Sequence, residues 1–577
     1  MKKIFFSIIL GSALLTTSCN DFIDTTPQGV VDESLAMSDP EKLVTAAYST
    51  LGNDWYTYPF NLWPYGDVAS DDAMKGGSGT TDTNYHHVEV WSSLTASNPD
   101  HMDELWYHFY WNISRCNRAL IALKNYGEEK LGAELTKQRI AEMKFIRAHN
   151  YYKAAQLFYQ IPWIDETITE ELAHETTRND VYSHMEIMQM IADDLKEAYD
   201  NLPTSSNQKD GGRTNKTAAA AYLAKVYLQM AYGDGYEANH SINQAFLQNV
   251  VTYTEVVKND SKYNYLEDYG DMFLQAYANS KESVFAVQHS DYQDDGTTYG
   301  RANWSNMLNG CWTMWSCGWD FQKPTQNFVN AFKTKNGLPM FEDYDKDHNT
   351  YPINGMPNDQ KWDPRLFHTV GIPTFPYKYE DQYTMTTDNS RNPSTYGYYT
   401  TLKCVPQRSM GETFNQPWQA FALNDYILRY ADVMLMRAEA LIELNQLSEA
   451  QEIINDIRQR AKNSVQKHIS YAAEHCDIAL YSDNGWTQDY ARKALRWERR
   501  LELGQEHERF FDLRRWGIAS TTLNAFFASE VNDNYEGQTY AQYYNDAYFT
   551  AGKNEYWPLP YAQLFYVPGL YVQNKGY

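Results

Sequence analysis

The sequence predicts a mostly α-helical protein with one long irregular excursion in its second half. Hydrophobic residues recur at helical spacing over long stretches on either side of the middle of the chain. Between Ser261 and Ile427 that period is lost, and Gly, Pro, Asn and Asp take over. Within the run Ala218–Ala221, Ala218 and Ala221, continued by Ala224, put small residues on one helix face. Helices can approach closely there, as in paired helical hairpins of the tetratricopeptide kind.

In chain order, Met1-Lys2-Lys3 and the apolar run Ile4 to Leu15 form a basic start and an h-region too short to span a bilayer. Small residues then lead to Cys19. Residues 1–18 read as a signal peptide, Cys19 as a bacterial lipidation site and residues 19–33 as a polar tether. The alternative is an ordinary cleaved signal with an incidental cysteine. Residues 34–260 read as an N-terminal helical region, with helices over 41–51, 103–124, 134–159, 181–200 and 214–231. In the second of these, Leu105, Phe109, Asn112, Ile113, Cys116 and Leu120 make a buried stripe. A polar, glycine-bearing segment from Gly66 to Pro99 separates the first two. Residues 261–577 read as loops with short strands such as Ser283–Gln288, followed by helices over 426–444, 447–462 and 488–504. An irregular end carries Pro558, Pro560, Pro568 and Gly569.

Composition removes several functions. The formal net charge of −25 repels phosphate backbones, so no nucleic acid partner is expected. There is no G-x-S-x-G, P-loop or H-E-x-x-H, and no C-x-x-C. Asp343, Asp345 and Asp347 imitate the opening of a calcium loop, but His348 replaces its turn glycine and Asn354 its closing glutamate. Cys311 and Cys317 either pair or remain buried thiols. No catalytic residue, metal ligand or cofactor is predicted, and the chain reads as a binding protein rather than an enzyme.

The aromatic content points the same way. Tyr at 47 residues outnumbers Phe at 24, and Tyr and Trp suit surfaces that are half apolar and half wet. Tyr292, Tyr299, Trp304, Trp312, Trp315 and Trp319 crowd a glycine- and asparagine-rich stretch unsuited to a helix. An indole face is electron-rich and a sugar presents weakly positive C–H groups, so such loops stack sugars. The competing reading is a small satellite core. Trp91, Asp67 and Asp72 in the earlier loop are further candidates, set against strand core for the tryptophan and turn capping for the acids.

A resemblance rests on specific blocks. Tyr430-Ala431-Asp432-Val433-Met434-Leu435-Met436-Arg437-Ala438-Glu439-Ala440, then Glu498-Arg499-Arg500-Leu501-Glu502-Leu503 and Arg509-Phe510-Phe511-Asp512-Leu513-Arg514-Arg515-Trp516, are similar to the SusD/RagB family. Gln573-Asn574-Lys575-Gly576-Tyr577 is similar to its ending, with Lys575 where Pro is usual. The resemblance implies a SusD-like scaffold and an outer-membrane, cell-surface lipoprotein. It also implies an oligo- or polysaccharide ligand, passed to a SusC-like TonB-dependent transporter. An alternative within the family is a RagB-like peptide binder with the same transporter partnership. The acids and arginines of these blocks read as bidentate pins between helices, with an anion-binding site as the competing reading. Trp362-Asp363-Pro364-Arg365 also matches a family segment and reads as a structural turn closed by an ion pair.

Overall fold

The computed structural model describes residues 36–52, 59–80, 85–168, 173–236, 241–290, 305, 308–315, 318–346, 356–357, 359–410, 421–531, 534–535, 538–539 and 542–577. Cys19, the signal segment and the tether lie outside them, as do Tyr292, Tyr299, Trp304 and Cys317.

The helices named from periodicity are present, with shifted ends. They are α1 (Pro40–Tyr48), α2 (Met102–Ala122), α3 (Ala133–Leu157), α4 (His184–Asn201) and α5 (Lys216–Ala231). Periodicity did not single out α6 (Gln244–Lys258). After the excursion come α7 (Tyr430–Glu443), α8 (Leu447–Asn463), α9 (Gln488–Leu503), α10 (Arg509–Arg515), α11 (Ala519–Glu530) and the short α12 (Tyr561–Tyr566). The starts are chemically marked. Ser183 and Glu186 form a reciprocal capping box on α4, and the Asn215 side chain accepts from the N–H groups of Thr217 and Ala218 to start α5.

Each helix packs on the next: α3 on α4, α4 on α5, α5 on α6, then α6 on α7 and α7 on α8 and α9. Ala218 to Ala221 are fully buried, so α5 takes neighbours on every side. One apolar cluster runs from Val44 through Tyr222 and Leu435 to Leu559, joining helices from both halves.

The stack passes from α6 directly to α7 although some 170 residues separate them in sequence. Two short strands, β1 (Ser283–Val287) and β2 (Asp425–Arg429), explain how. They pair antiparallel with Val287 opposite Asp425 and Ser283 opposite Arg429, closing the neck of the excursion. The helix expected from residue 426 therefore starts at Tyr430. The four positions before it are drawn into the sheet because their backbone groups have a partner strand.

A buried ionic network locks this neck to the stack. Glu502 on α9 faces Arg365 at 3.4 Å and Arg429 at 2.8 Å, and also bonds Arg460. Arg365 bonds Asp363 and Glu498 at 2.8 and 2.7 Å, while Glu282 takes Arg429 and Arg460 at 3.0 and 2.9 Å. Arg499 reaches Asp512 at 2.7 Å and Asp432 at 3.1 Å, and Arg515 reaches Glu439 at 2.9 Å. Arg514 donates to the carbonyls of Gln156 and Glu555. Most of these guanidinium nitrogens meet the protein's own acceptors, with Arg460 Nε and Arg514 Nε left without a partner among the described residues, so the arginine blocks act as pins between elements rather than as an anion site.

Candidate functional site

The same kind of buried polar bond positions the aromatic loop. Asn309 donates to Gln322 Oε1, and Gln322 Nε2 donates to Asp67 Oδ2 at 2.6 Å. Asp67 also accepts from the His507 N–H at 3.1 Å and Nδ1 at 2.8 Å. Burial disfavours a charged imidazole, but the Asp67 carboxylate outweighs it and holds His507 well above its ordinary pKa. At the far end of the loop Asp320 adopts φ +60°, a left-handed conformation that Asp tolerates better than most residues. Its Oδ2 accepts from Lys323 Nζ at 2.7 Å and the Arg391 N–H at 2.8 Å. Burial raises the Asp320 carboxyl, with Lys323 opposing it.

A second strap fixes Trp312. Its N–H donates to the Asn389 carbonyl at 3.0 Å, and Asn389 Nδ2 donates back to the Trp312 carbonyl and to Thr313 Oγ1 at 3.2 and 2.9 Å. The Arg391 guanidinium then lies 5.2 Å from the Trp312 ring centre and 5.0 Å from that of Trp319. Trp312 remains 40% exposed, whereas Trp319 is half-buried against the main core. Arg391 Nη1 is buried and has no hydrogen-bond partner among the described residues. The result is a guanidinium held against two indoles, of which Trp312 keeps part of its ring exposed for stacking.

Four of the residues named from sequence sit elsewhere. Trp315 is 3% exposed; its Nε1 donates to the Tyr377 hydroxyl at 3.2 Å, and its ring packs 4.9 Å from Phe421. It belongs to a satellite core with Cys311, Met385, Leu402 and Val405. Trp91 is core as well, 1% exposed and packed among Phe510, Phe549 and Trp557, with Nε1 donating to the Ala69 carbonyl at 3.2 Å. Asp67 and Asp72 are fully buried. Asp67 anchors His507 and Gln322, and Asp72 pairs with Arg500 at 2.7 Å. A group without solvent exposure offers no face to a ligand, so these four expectations are corrected to structural roles. Arg391 and Asn389 went unnoticed because they lie some 70 residues downstream of the tryptophans, in a stretch with no pattern of its own.

Other concavities differ in character. A pocket of about 110 Å³, lined by Phe60, Tyr222, Phe273, Lys403, Glu506 and His507 among others, is well below the usual size of a drug-sized ligand site. Asp268, Asp271 and His468 place potential metal-ligand atoms within 4.8 Å of one another. Lys467 Nζ already lies 2.6 Å from both Asp271 oxygens, so a cation there would have to displace an ammonium. In the imitation calcium loop, Asp345 accepts from Asn327, Asn330 and Ser529, and Asp343 pairs with Lys346.

Gly318 shows how tightly the loop is built. A Cβ there would lie 2.1 Å from the Cys311 carbonyl oxygen, a clash only backbone movement relieves. Gly318→Ala should therefore open the 308–320 segment to limited proteolysis, while the main melting transition moves by only a few degrees. A cleavage rate equal to wild type would show that the loop is not strapped as described.

Two family models match the chain. One, described as the SusD family, matches residues 281–577; the other, described as starch-binding associating with outer membrane, matches residues 21–228. A SusD-like protein of Bacteroides ovatus is 24% identical over 526 residues, covering 88% of this chain and 82% of that protein. Among solved structures, a SusD homolog from Bacteroides thetaiotaomicron superposes with a TM-score of 0.70 at 20% identity, over 94% of this chain and 97% of that one. Surface glycan-binding protein A from Bacteroides thetaiotaomicron, in complex with laminarihexaose, gives 0.59 at 18% identity over 93% and 98%. No described helix is long and apolar enough to cross a membrane.

Proposed function

The chain belongs to the SusD family, and we propose that it is a cell-surface lipoprotein, lipidated at Cys19, that binds a glycan and delivers it to a SusC-like TonB-dependent outer-membrane transporter. The observation that carries the glycan reading is the exposed Trp312 face, held rigid beside Trp319 and Arg391. A pre-ordered indole loses little entropy on binding, and a neighbouring guanidinium donates to ring hydroxyls. Trp304, Tyr292 and Tyr299 stand close by in sequence and belong to the same proposal. The laminarihexaose bound by one structural relative and the starch-binding description of one matching family support a neutral sugar as the ligand class. The chemistry here is stacking and hydrogen bonding with no reaction, so no enzyme activity is proposed.

A shallow site of two or three stacked sugars should bind at roughly micromolar to millimolar Kd. Affinity electrophoresis of the purified chain in gels containing laminarin, starch, xylan, mannan or galactan tests this. Retardation by at least one is expected, and equal mobility in all five would sink the glycan reading. The delivery step predicts that gentle detergent extraction of native membranes yields the chain together with a large β-barrel protein. Recovery of a homogeneous monomer alone would count against it.

A further inference from the structure

The helix α12, Tyr-Ala-Gln-Leu-Phe-Tyr, is largely apolar, yet none of its residues is buried. Tyr561, Phe565 and Tyr566 are 49%, 58% and 62% exposed. Tyr561 and Phe565, one turn apart, stack with ring centres 4.0 Å apart and planes inclined by 30°. The helix is moored, since the Tyr561 N–H donates to the Ala96 carbonyl at 3.1 Å. Tyr561 forms one wall of an open groove of about 410 Å³ whose other side carries Asn98, Asp100, His101, Asp103 and Glu104. The last two begin α2, and the same face of that helix continues to Tyr107 and Trp111, three and seven residues beyond Glu104. Those two rings are also exposed, nearly parallel and 6.5 Å apart.

From this arrangement we propose that the α12 groove is a second glycan subsite, selective for neutral sugars and independent of the Trp312 loop; the proposal rests on the glycan reading above. The chemistry of the groove selects the occupant. Tyr561 in its wall, with Phe565 stacked on it just outside the groove, offers a flat, electron-rich ring to C–H groups, and its carboxylates are strong acceptors for sugar hydroxyls. An apolar protein segment would have to desolvate Asp103 and the Glu104–His101 pair, 3.5 Å apart, while offering them no partner. Uronic acids, sulfated glycans and anionic lipid headgroups are repelled by these acids and by the net charge of −25. A long polysaccharide that engages both subsites gains avidity that a short oligosaccharide filling only one does not.

The test uses the full chain and the double variant Tyr561→Ala/Phe565→Ala, whose positions are exposed enough to leave folding intact, with melting temperature as the check. The probes are laminarin, or whichever other neutral polysaccharide of the panel retards the wild type more, and oligosaccharides of the same sugar up to the hexamer. Polysaccharide affinity should fall at least threefold in the double variant. Trp312→Ala should keep residual retardation, which combining all three substitutions removes. Unchanged polysaccharide affinity in the double variant, alongside normal wild-type binding, overturns the subsite and leaves the glycan reading standing. Loss of barrel co-purification without loss of glycan affinity overturns it too, because the face would then be a protein interface. A wild type retarded by no polysaccharide removes the glycan reading and the subsite with it.

Discussion

Replacing Glu502 by Gln should cost about 3–5 kcal/mol of stability, the range for removing one partner from a buried ion pair. Arg365, Arg429, Arg458, Arg460 and Lys403 face Asp363, Glu498, Glu502, Glu282 and Glu506, so the network is balanced in charge. Glu502 is fully buried at its centre. Taking its charge away leaves one uncompensated cation out of contact with water. Chemical unfolding or calorimetry should show the loss, while Glu129→Gln, at an exposed pair with Lys130, should leave the melting temperature unchanged. A Glu502→Gln protein as stable as wild type would mean the network is solvated or dispensable.

The same network fixes the pH response. Burial pushes the Glu502 carboxyl upward, but Arg460, Arg429 and Arg365 override it and hold it well below the usual carboxylate range. A carboxyl whose folded pKa is depressed stabilises fully above its unfolded value of about 4, and that stability is lost as pH falls through the folded value. Asp363 and Asp512 are lowered in the same way, against burial, by Arg365 and Arg499 respectively. Melting temperature should therefore decline steeply below about pH 4, and Glu502→Gln should flatten that decline.

Trp312→Ala should weaken glycan retardation by about fivefold or more, since a stacked aromatic contact contributes on the order of 1 kcal/mol beyond its area. The melting temperature should stay within a degree or two of wild type, because the side chain is 40% exposed. Trp315→Ala is the informative contrast. Emptying its place in the satellite core should cost about 3–5 kcal/mol locally, with any loss of binding following from the loop's collapse. If Trp312→Ala melts as low as Trp315→Ala, or binds as tightly as wild type, the proposed binding face is wrong.

The helical scaffold was legible in the chain because its signal is local. A buried stripe at 3.6-residue spacing, an Asn or Ser at the start and an alanine-rich face each act within a few residues, and α2 to α5 and α7 to α9 followed from them. The ion-pair role of the arginine blocks was legible for a related reason, since acids and bases alternate there in the sequence itself. The aromatic loop was legible as composition only. Trp312 and Trp315 are three residues apart in the same glycine-rich stretch, yet one faces solvent and the other packs on Phe421, a partner more than 100 positions away. Nothing local distinguishes them. The choice is made by the Asn389 strap, the Arg391 guanidinium and the Asp67–Gln322 bond, all of them contacts between residues more than 70 positions apart in sequence. The sequence by itself determined α1 to α5 and α7 to α9, the small residues through which α5 packs and the pairing of buried charge, but not α6 or α10 to α12. Tertiary structure alone decided which aromatic and acidic side chains reach the surface, because exposure is a property of what the rest of the chain leaves uncovered.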